Sequence, residues 1–333
     1  MTGEDAYDAI TIGETLTGAT TNITRESIRQ FAEASLDFNP LHLDDKFTQG
    51  DFGKTNFGGI IAHGMTTFAL ITRTLTDWLL PRGGIHRRLE TRWLRPVRPG
   101  YSVTPRGSVA HKLETHKGRW AVFNVEVKNQ DGATVATGEA MAEFPRSMSA
   151  LAPAIGAGLN QRAGSGEEAA RQVQALSAPL GFESNFFRNA DRRKSWDEII
   201  PGELRPTVPL LLTREAIQRF ARAVGDLNPL YFDEQHAARS PYRGLVAPPS
   251  IHIMLMFACT PDDDWMRTPG TINAGQSWFY NVAARPGDTI RMAAQALDRF
   301  VKKDRLFVIH DNVFYNQKDE VVCSGRGWTI RPR

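Results

Sequence analysis

Residues 24–44 read TRESIRQFAEASLDFNPLHLD, and residues 213–233 read TREAIQRFARAVGDLNPLYFD. The second stretch repeats the first without a gap. A repeat of so long a period signals a duplicated domain, not a solenoid of short units. The correspondence runs outward in both directions. Upstream, Ile12-Gly13-Glu14 parallels Pro201-Gly202-Glu203. Downstream, GGIIAHGM (58–65) parallels RGLVAPPS (243–250), VRPGYSV (97–103) parallels ARPGDTI (284–290), and TVATGEAM (134–141) parallels VVCSGRGW (321–328). Two domains are therefore expected, at 1–146 and 190–333. Between them, 147–189 is rich in Ala, Gly and Ser and reads as a linker with one short helix near 166–176.

Bulk properties agree with two globular units and exclude some partners. A chain of 333 residues, 41% hydrophobic, can furnish a core for each copy. A formal net charge of +3 is too weak to argue for nucleic acid. Cys259 and Cys323 form no CxxC pair and show no metal spacing, so they read as thiols in a reducing compartment. The opening MTGEDAYDAI has neither a basic nor an apolar signal region, and the apolar run 251–259 is too short to span a bilayer. The expectation is a cytoplasmic protein with no membrane span.

Local pattern supplies the elements. Ile28, Phe31, Ala32 and Leu36 lie at helical spacing, with Asn22 or Thr24 available as N-cap. Pro40 bars the helical conformation at Asn39, so that helix ends near Asp37. Residues 63–80 are apolar most of the way round, which predicts a long buried helix. Strand-like segments follow at 88–95, 101–113, 118–129 and 134–144. The second copy predicts a helix near 250–260 and strands near 271–281, 288–300, 305–316 and 320–330. The fold class is α+β: two tandem antiparallel sheets, each wrapped around a long central helix.

The most specific signal is Asp37-Phe38-Asn39-Pro40-Leu41-His42-Leu43-Asp44, followed by Ile61-Ala62-His63-Gly64-Met65. This pattern, D-x-N-P-x-H-x-D with a later H-G-M, resembles the MaoC-like hydratase/dehydratase family and its (R)-specific enoyl-CoA hydratases of the hydratase 2 type. The resemblance implies a double hot-dog fold, a 2-enoyl thioester substrate, and neither cofactor nor metal. Adding water across a 2,3 double bond needs a base for the water, a proton for C2 and donors for the enolate oxygen. The resemblance makes Asp37 and His42 the water-activating dyad, with Asn39 orienting their loop. It places the carbonyl donor on the backbone N–H of Gly64, at the positive end of the long helix. Taken singly, an Asp after a helix is often a turn former and a lone His often a surface residue; the motif argues otherwise for both.

His63 is expected mainly to bond the loop backbone at the helix start, and Asp44 either to orient the loop or to be solvated. His63 and Met65 are expected to border the substrate. Arg87, Arg92 and Arg95, with Arg88 and Arg98 nearby, are candidates for the phosphates of coenzyme A or of an acyl carrier protein arm; the plainer reading is solvated strand charge. An Asp/His metal site lacks a third ligand at useful spacing.

The second copy keeps Asp226, Asn228 and Pro229 but has Tyr231 for the histidine and Pro248-Pro249 for His63-Gly64. Tyrosine is a poor base at neutral pH and proline has no N–H to donate. This copy reads as non-catalytic, with His252 a packed histidine; the resemblance implies that it supplies wall for the acyl chain. The chain is expected to be a pseudo-dimer in itself, with homodimerisation left open. The leading function is interconversion of a 2-enoyl and a (3R)-hydroxyacyl thioester. Alternatives are a 3-hydroxyacyl-ACP dehydratase of fatty or mycolic acid synthesis, a hot-dog thioesterase, or a non-catalytic acyl-thioester-binding subunit. The thioesterase is disfavoured because residues 65–76 contain no Asp or Glu.

Overall fold

The computed structural model describes residues 3–50, 57–116, 118–145 and 194–332. The linker expected at 147–189 and its short helix lie outside the described residues. A helix that sequence pattern did not foresee, α1 (Gly3–Ala9), precedes the short strands β1 (Thr15–Thr17) and β2 (Thr21–Asn22). Thr24 then caps α2 (Arg25–Ser35): its hydroxyl accepts the N–H of Ser27, and the Ser27 hydroxyl accepts the N–H of Thr24. Leu36 ends this helix in the left-handed conformation, φ 61°. That turn points the chain at Asp37 away from the helix axis.

The long helix α3 (Gly64–Leu79) is buried along most of its length, including Phe68 and Leu75. Its many threonines fit there because they bond backwards. The hydroxyls of Thr72, Thr74 and Thr76 donate to the carbonyls of Phe68, Leu70 and Thr72. Strands β3 (Ile85–Trp93), β4 (Ser102–Thr115), β5 (Gly118–Asn129) and β6 (Thr134–Phe144) follow, and α3 packs against β1, β3, β4 and β5.

The second copy repeats this order with β7 (Leu210–Leu211), α4 (Arg214–Ala223), an added α5 (Glu234–Arg239) and α6 (His252–Ala258). Strands β8 (Ile272–Tyr280), β9 (Thr289–Lys302), β10 (Arg305–Tyr315) and β11 (Val321–Arg331) complete it. Its central helix has 7 residues where α3 has 16. Pro248 and Pro249 turn the chain as it enters, and Pro261 bars continuation at the other end.

The two antiparallel sheets meet edge to edge. β3 pairs with β8 in antiparallel register from Arg88↔Phe279 to Arg92↔Gly275, giving one eleven-stranded sheet. Helix α2 contacts both α4 and α6, and one apolar cluster runs through both copies. Each large side chain wholly buried in such a core stabilises the fold by about 1.5–3 kcal/mol. Cys259 and Cys323 are free and buried, and burial pushes the Cys259 thiol up to about 12. Among the described residues no helix is long and apolar enough to cross a membrane.

Candidate active site

Asn39 is the keystone of the catalytic-type loop. Its side-chain oxygen accepts the N–H groups of Leu41 (3.2 Å) and of Gly270 in the second copy (3.1 Å). Its amide nitrogen donates to the carbonyl of Thr271, also in the second copy, at 2.8 Å. Pro40 then begins a single 3₁₀ turn, Pro40–His42, which brings the His42 imidazole back beside Asp37.

Hydrogen bonds fix the state of each ring. His42 Nδ1 donates to the carbonyl of Ile61 at 2.8 Å, leaving Nε2 as the lone-pair nitrogen. His63, the residue before α3, donates from Nε2 to the main-chain carbonyl of Asp37 at 2.9 Å, and its buried Nδ1 has no partner among the described residues. The two rings lie 3.7 Å apart, centroid to centroid, tilted by 30°.

Burial sets the electrostatics. It pushes the Asp37 carboxyl up to about 7, against the lowering effects of the Asn39 N–H and the Arg267 charge. It pulls His42 down to about 4, against the bond to Ile61. Burial, and then the neighbouring His42, hold His63 well below the ordinary histidine range. Near neutral pH the site thus holds two neutral imidazoles and a carboxyl poised to take or give a proton.

These groups line a cavity of about 470 Å³ between the copies. Asp37, Asn39, His42, His63, Gly64, Met65 and Arg95 all border it. Gly64 opens α3, and its N–H has no acceptor within the helix. A Cβ at this position would sit 2.7 Å from the Trp93 indole, whose Nε1 donates to the Gly64 carbonyl at 2.7 Å. Packing against Trp93 thus demands glycine here, whatever the substrate requires.

The arginines divide. Arg95 borders the cavity, but Arg87 and Arg92 do not. Arg87 is 2% exposed and is paired with Glu143 at 2.7 Å. It also donates to the carbonyls of Tyr280 (3.3 Å) and Asn281 (2.8 Å), so it ties the copies together instead of awaiting a phosphate. Arg92 is 72% exposed and faces Glu90. Several residues that sequence reasoning missed border the cavity: Trp93, Met256, Phe257, Met266 and Arg305. All but Trp93 come from the second copy and have no local signature.

Asp37, His42 and His63 also offer ligand atoms all within 4.8 Å of one another. The resemblance implied no metal, and the sequence offered no third ligand at useful spacing; the fold brings His63 beside the other two. With both rings donating their other N–H to backbone carbonyls, this trio has donors suited to a transition-metal ion.

The second copy has a counterpart cavity of about 350 Å³, bordered by Tyr231, Pro248 and Pro249. Tyr231 is buried and its hydroxyl reaches Asp226 at 3.4 Å. Burial and the nearby Asp77 raise Asp226 to about 7. His252 is packed among Phe68, Trp278 and Tyr280.

Comparison with known proteins bears on both copies. Residues 9–131 match the MaoC like domain, and residues 201–324 match the FAS1-like dehydratase domain region. An (R)-specific enoyl-CoA hydratase of Aeromonas caviae is 33% identical over 118 residues, covering 35% of this chain and 84% of the relative. A 3-hydroxybutyryl-CoA dehydratase of Methylorubrum extorquens is 30% identical over 138 residues, covering 41% and 83%. Among solved structures, a MaoC domain protein from Chloroflexus aurantiacus matches with a TM-score of 0.72 at 12% identity, over 98% of this chain and 97% of the other. A conserved protein of Mycobacterium tuberculosis with a double hotdog fold matches with a TM-score of 0.65 at 13% identity, over 98% of each chain. At such identities the structural likeness concerns the fold.

Proposed function

The chain belongs to the MaoC-like family and has the double hot-dog fold, and from that premise we propose that its first copy is a hydro-lyase acting on a 2-enoyl/(3R)-hydroxyacyl thioester pair. The observation that carries this reading is the approach of Asp37 and His42 to within 4.8 Å on the wall of one cavity. That span suits a single water bonded to both.

In this reading the water donates one hydrogen bond to His42 Nε2 and the other to the Asp37 carboxylate, which turns its oxygen towards C3. Asp37 takes the proton as the C3–O bond forms. The electron pair of the double bond moves onto the thioester carbonyl, and the developing enolate oxygen faces the N–H of Gly64 at the head of α3. Asp37 then returns the proton to C2. His42 serves as the orienting acceptor because its proton affinity is too low for it to carry the proton itself. The dehydration runs the same steps backwards.

Met256 and Phe257, on the shortened α6, and Met266 beyond it supply apolar wall for an acyl chain. Arg95 and Arg305 border the same cavity and suit the phosphates of a coenzyme A thioester. The names of both relatives favour that carrier over acyl carrier protein.

The test is incubation with 2-enoyl thioesters of increasing chain length, on coenzyme A and on acyl carrier protein, following the loss of enoyl absorbance. Turnover is expected on the coenzyme A series. Absence of turnover on every chain length and carrier would overturn the proposal, and release of free thiol would replace it with a thioesterase.

A further inference from the structure

The second copy has lost the groups for chemistry but has kept the cavity. Its space of about 350 Å³ is bordered by Leu230, Tyr231, Val246, Ala247, Pro248 and Pro249. In the repeat these align with Leu41, His42, Ile61, Ala62, His63 and Gly64, all of which border the first cavity. The two cavities share no bordering residue, so the second is no extension of the first. Tyr231 commits its hydroxyl to Asp226 at 3.4 Å, and Pro249 has no N–H to offer a thioester carbonyl. An empty cavity lowers stability. The small buried side chains of Ala247 and Ala284 nevertheless keep this one open.

Its polar wall is unfinished. His86 borders the cavity from the first copy and is 6% exposed. Its Nε2 donates to the carbonyl of Arg88 at 3.2 Å, which leaves Nδ1 as an acceptor. That Nδ1 is buried with no partner among the described residues, and so is the side-chain oxygen of Asn281, which also borders the cavity. Buried acceptors without donors are rare, and both suit a ligand that brings N–H or O–H groups. At one end the cavity reaches the surface at Lys318, which is exposed, and Arg285 borders it too. The carboxylates on the same border are engaged. Asp288 accepts the N–H of Arg285 (2.8 Å) and the amide of Gln317 (3.1 Å), and Glu320 accepts the amide of Asn316 (2.8 Å). Away from that rim, Leu80, Ile85 and Leu230 also border an adjoining space of about 420 Å³.

We propose that the cavity of the second copy is a separate, non-catalytic binding site for an acyl-coenzyme A thioester. Its apolar walls and the adjoining space take the acyl chain. The acceptors of His86 and Asn281 meet the N–H and O–H groups of the pantetheine arm. Lys318 and Arg285 face the phosphates at the rim. One chain then holds two thioesters and turns over one of them.

The choice of a thioester rests on the hydro-lyase reading, because the two cavities match position by position, but binding tests it independently of turnover. Octanoyl-CoA has neither a 2,3 double bond nor a 3-hydroxyl group, so it serves as an unreactive probe in calorimetric titration of the whole chain. Two molecules should bind per chain of wild type and one per chain of Ala284→Phe, which fills the second cavity. Lys318→Glu, a surface change, should weaken one of the two sites by about fivefold and leave the other as it was. A single molecule per chain, bound equally well by both variants, would overturn the inference and leave the hydro-lyase reading standing. A single molecule lost in Ala284→Phe would support the inference and count against that reading. Two molecules still bound by Ala284→Phe would place the extra one elsewhere and sink the inference, and no binding at all would sink both. If Ala284→Phe does not fold, Lys318→Glu decides: two sites with unchanged affinities refute the proposal.

Discussion

The His63 ring is held to the main chain of Asp37 by a 2.9 Å hydrogen bond, so the head of the central helix and the Asp37–His42 loop are one mechanical unit. The His63 ring also lies against that of His42, tilted by 30°. Replacement by alanine removes a buried hydrogen bond and leaves a void. His63→Ala should cost about 2–4 kcal/mol in chemical denaturation, with turnover reduced but not abolished. A variant as stable as wild type would show that the bond carries no load.

Asp37→Asn and His42→Ala should each lower turnover by about 10²–10⁴-fold. If either variant retained near wild-type turnover, the role argued above, proton carrier for Asp37 or orienting acceptor for His42, would be wrong for that residue.

The stability of Asp37→Asn has its own pH signature. The carboxyl holds its proton up to about pH 7 in the folded protein, against a reference value of 3.8. The folded state therefore binds the proton more tightly, and this group's contribution to stability is lost as pH rises from about 4 through 7. The stability of wild type minus that of Asp37→Asn should fall across that window, by at most about 1.4 kcal/mol per unit. Denaturant titrations at pH 5, 6 and 7 measure it, and a flat difference would refute the burial argument.

Buried histidines should act in the opposite sense. Burial lowers His42 and His86 to about 4 and His252 and His310 to about 3. Their unfolded forms bind protons first, so stability is lost as pH falls from about 6.5. Replacing the wholly buried His310 by a neutral residue should flatten the acid side of the stability profile. An unchanged slope below pH 6 would argue that His310 is already solvated.

Gly64 and Trp93 should be energetically coupled. Gly64→Ala forces a Cβ into the indole and should cost about 1–3 kcal/mol, less in a Trp93→Phe background. A double-mutant cycle reads the coupling directly. In the second copy, Tyr231→Phe should leave turnover of the first copy unchanged.

Much of this was legible in sequence because it was local. Helical spacing at Ile28, Phe31 and Ala32 and the proline stop at Pro40 placed the loop, and the repeat placed its echo at Asp226. Features made by distant segments were not legible. Strand pattern cannot distinguish a solvent-facing arginine from one sealed at a seam, so the sequence does not show that Glu143 and the carbonyls of Tyr280 and Asn281 surround Arg87. Arg267 lies 230 positions from Asp37 in the chain (37 to 267), and no periodicity links them. The same limit hid the pairing of β3 with β8 and the closeness of His63 to His42.

The continuous β3–β8 ladder has an evolutionary consequence. In a homodimer with two-fold symmetry, every mutation at the junction appears twice, so both halves must tolerate it. Joining the halves in one polypeptide releases that constraint. One half can drift toward a specialised accessory while its twin stays under selection for chemistry, and neither innovation has to be mirrored.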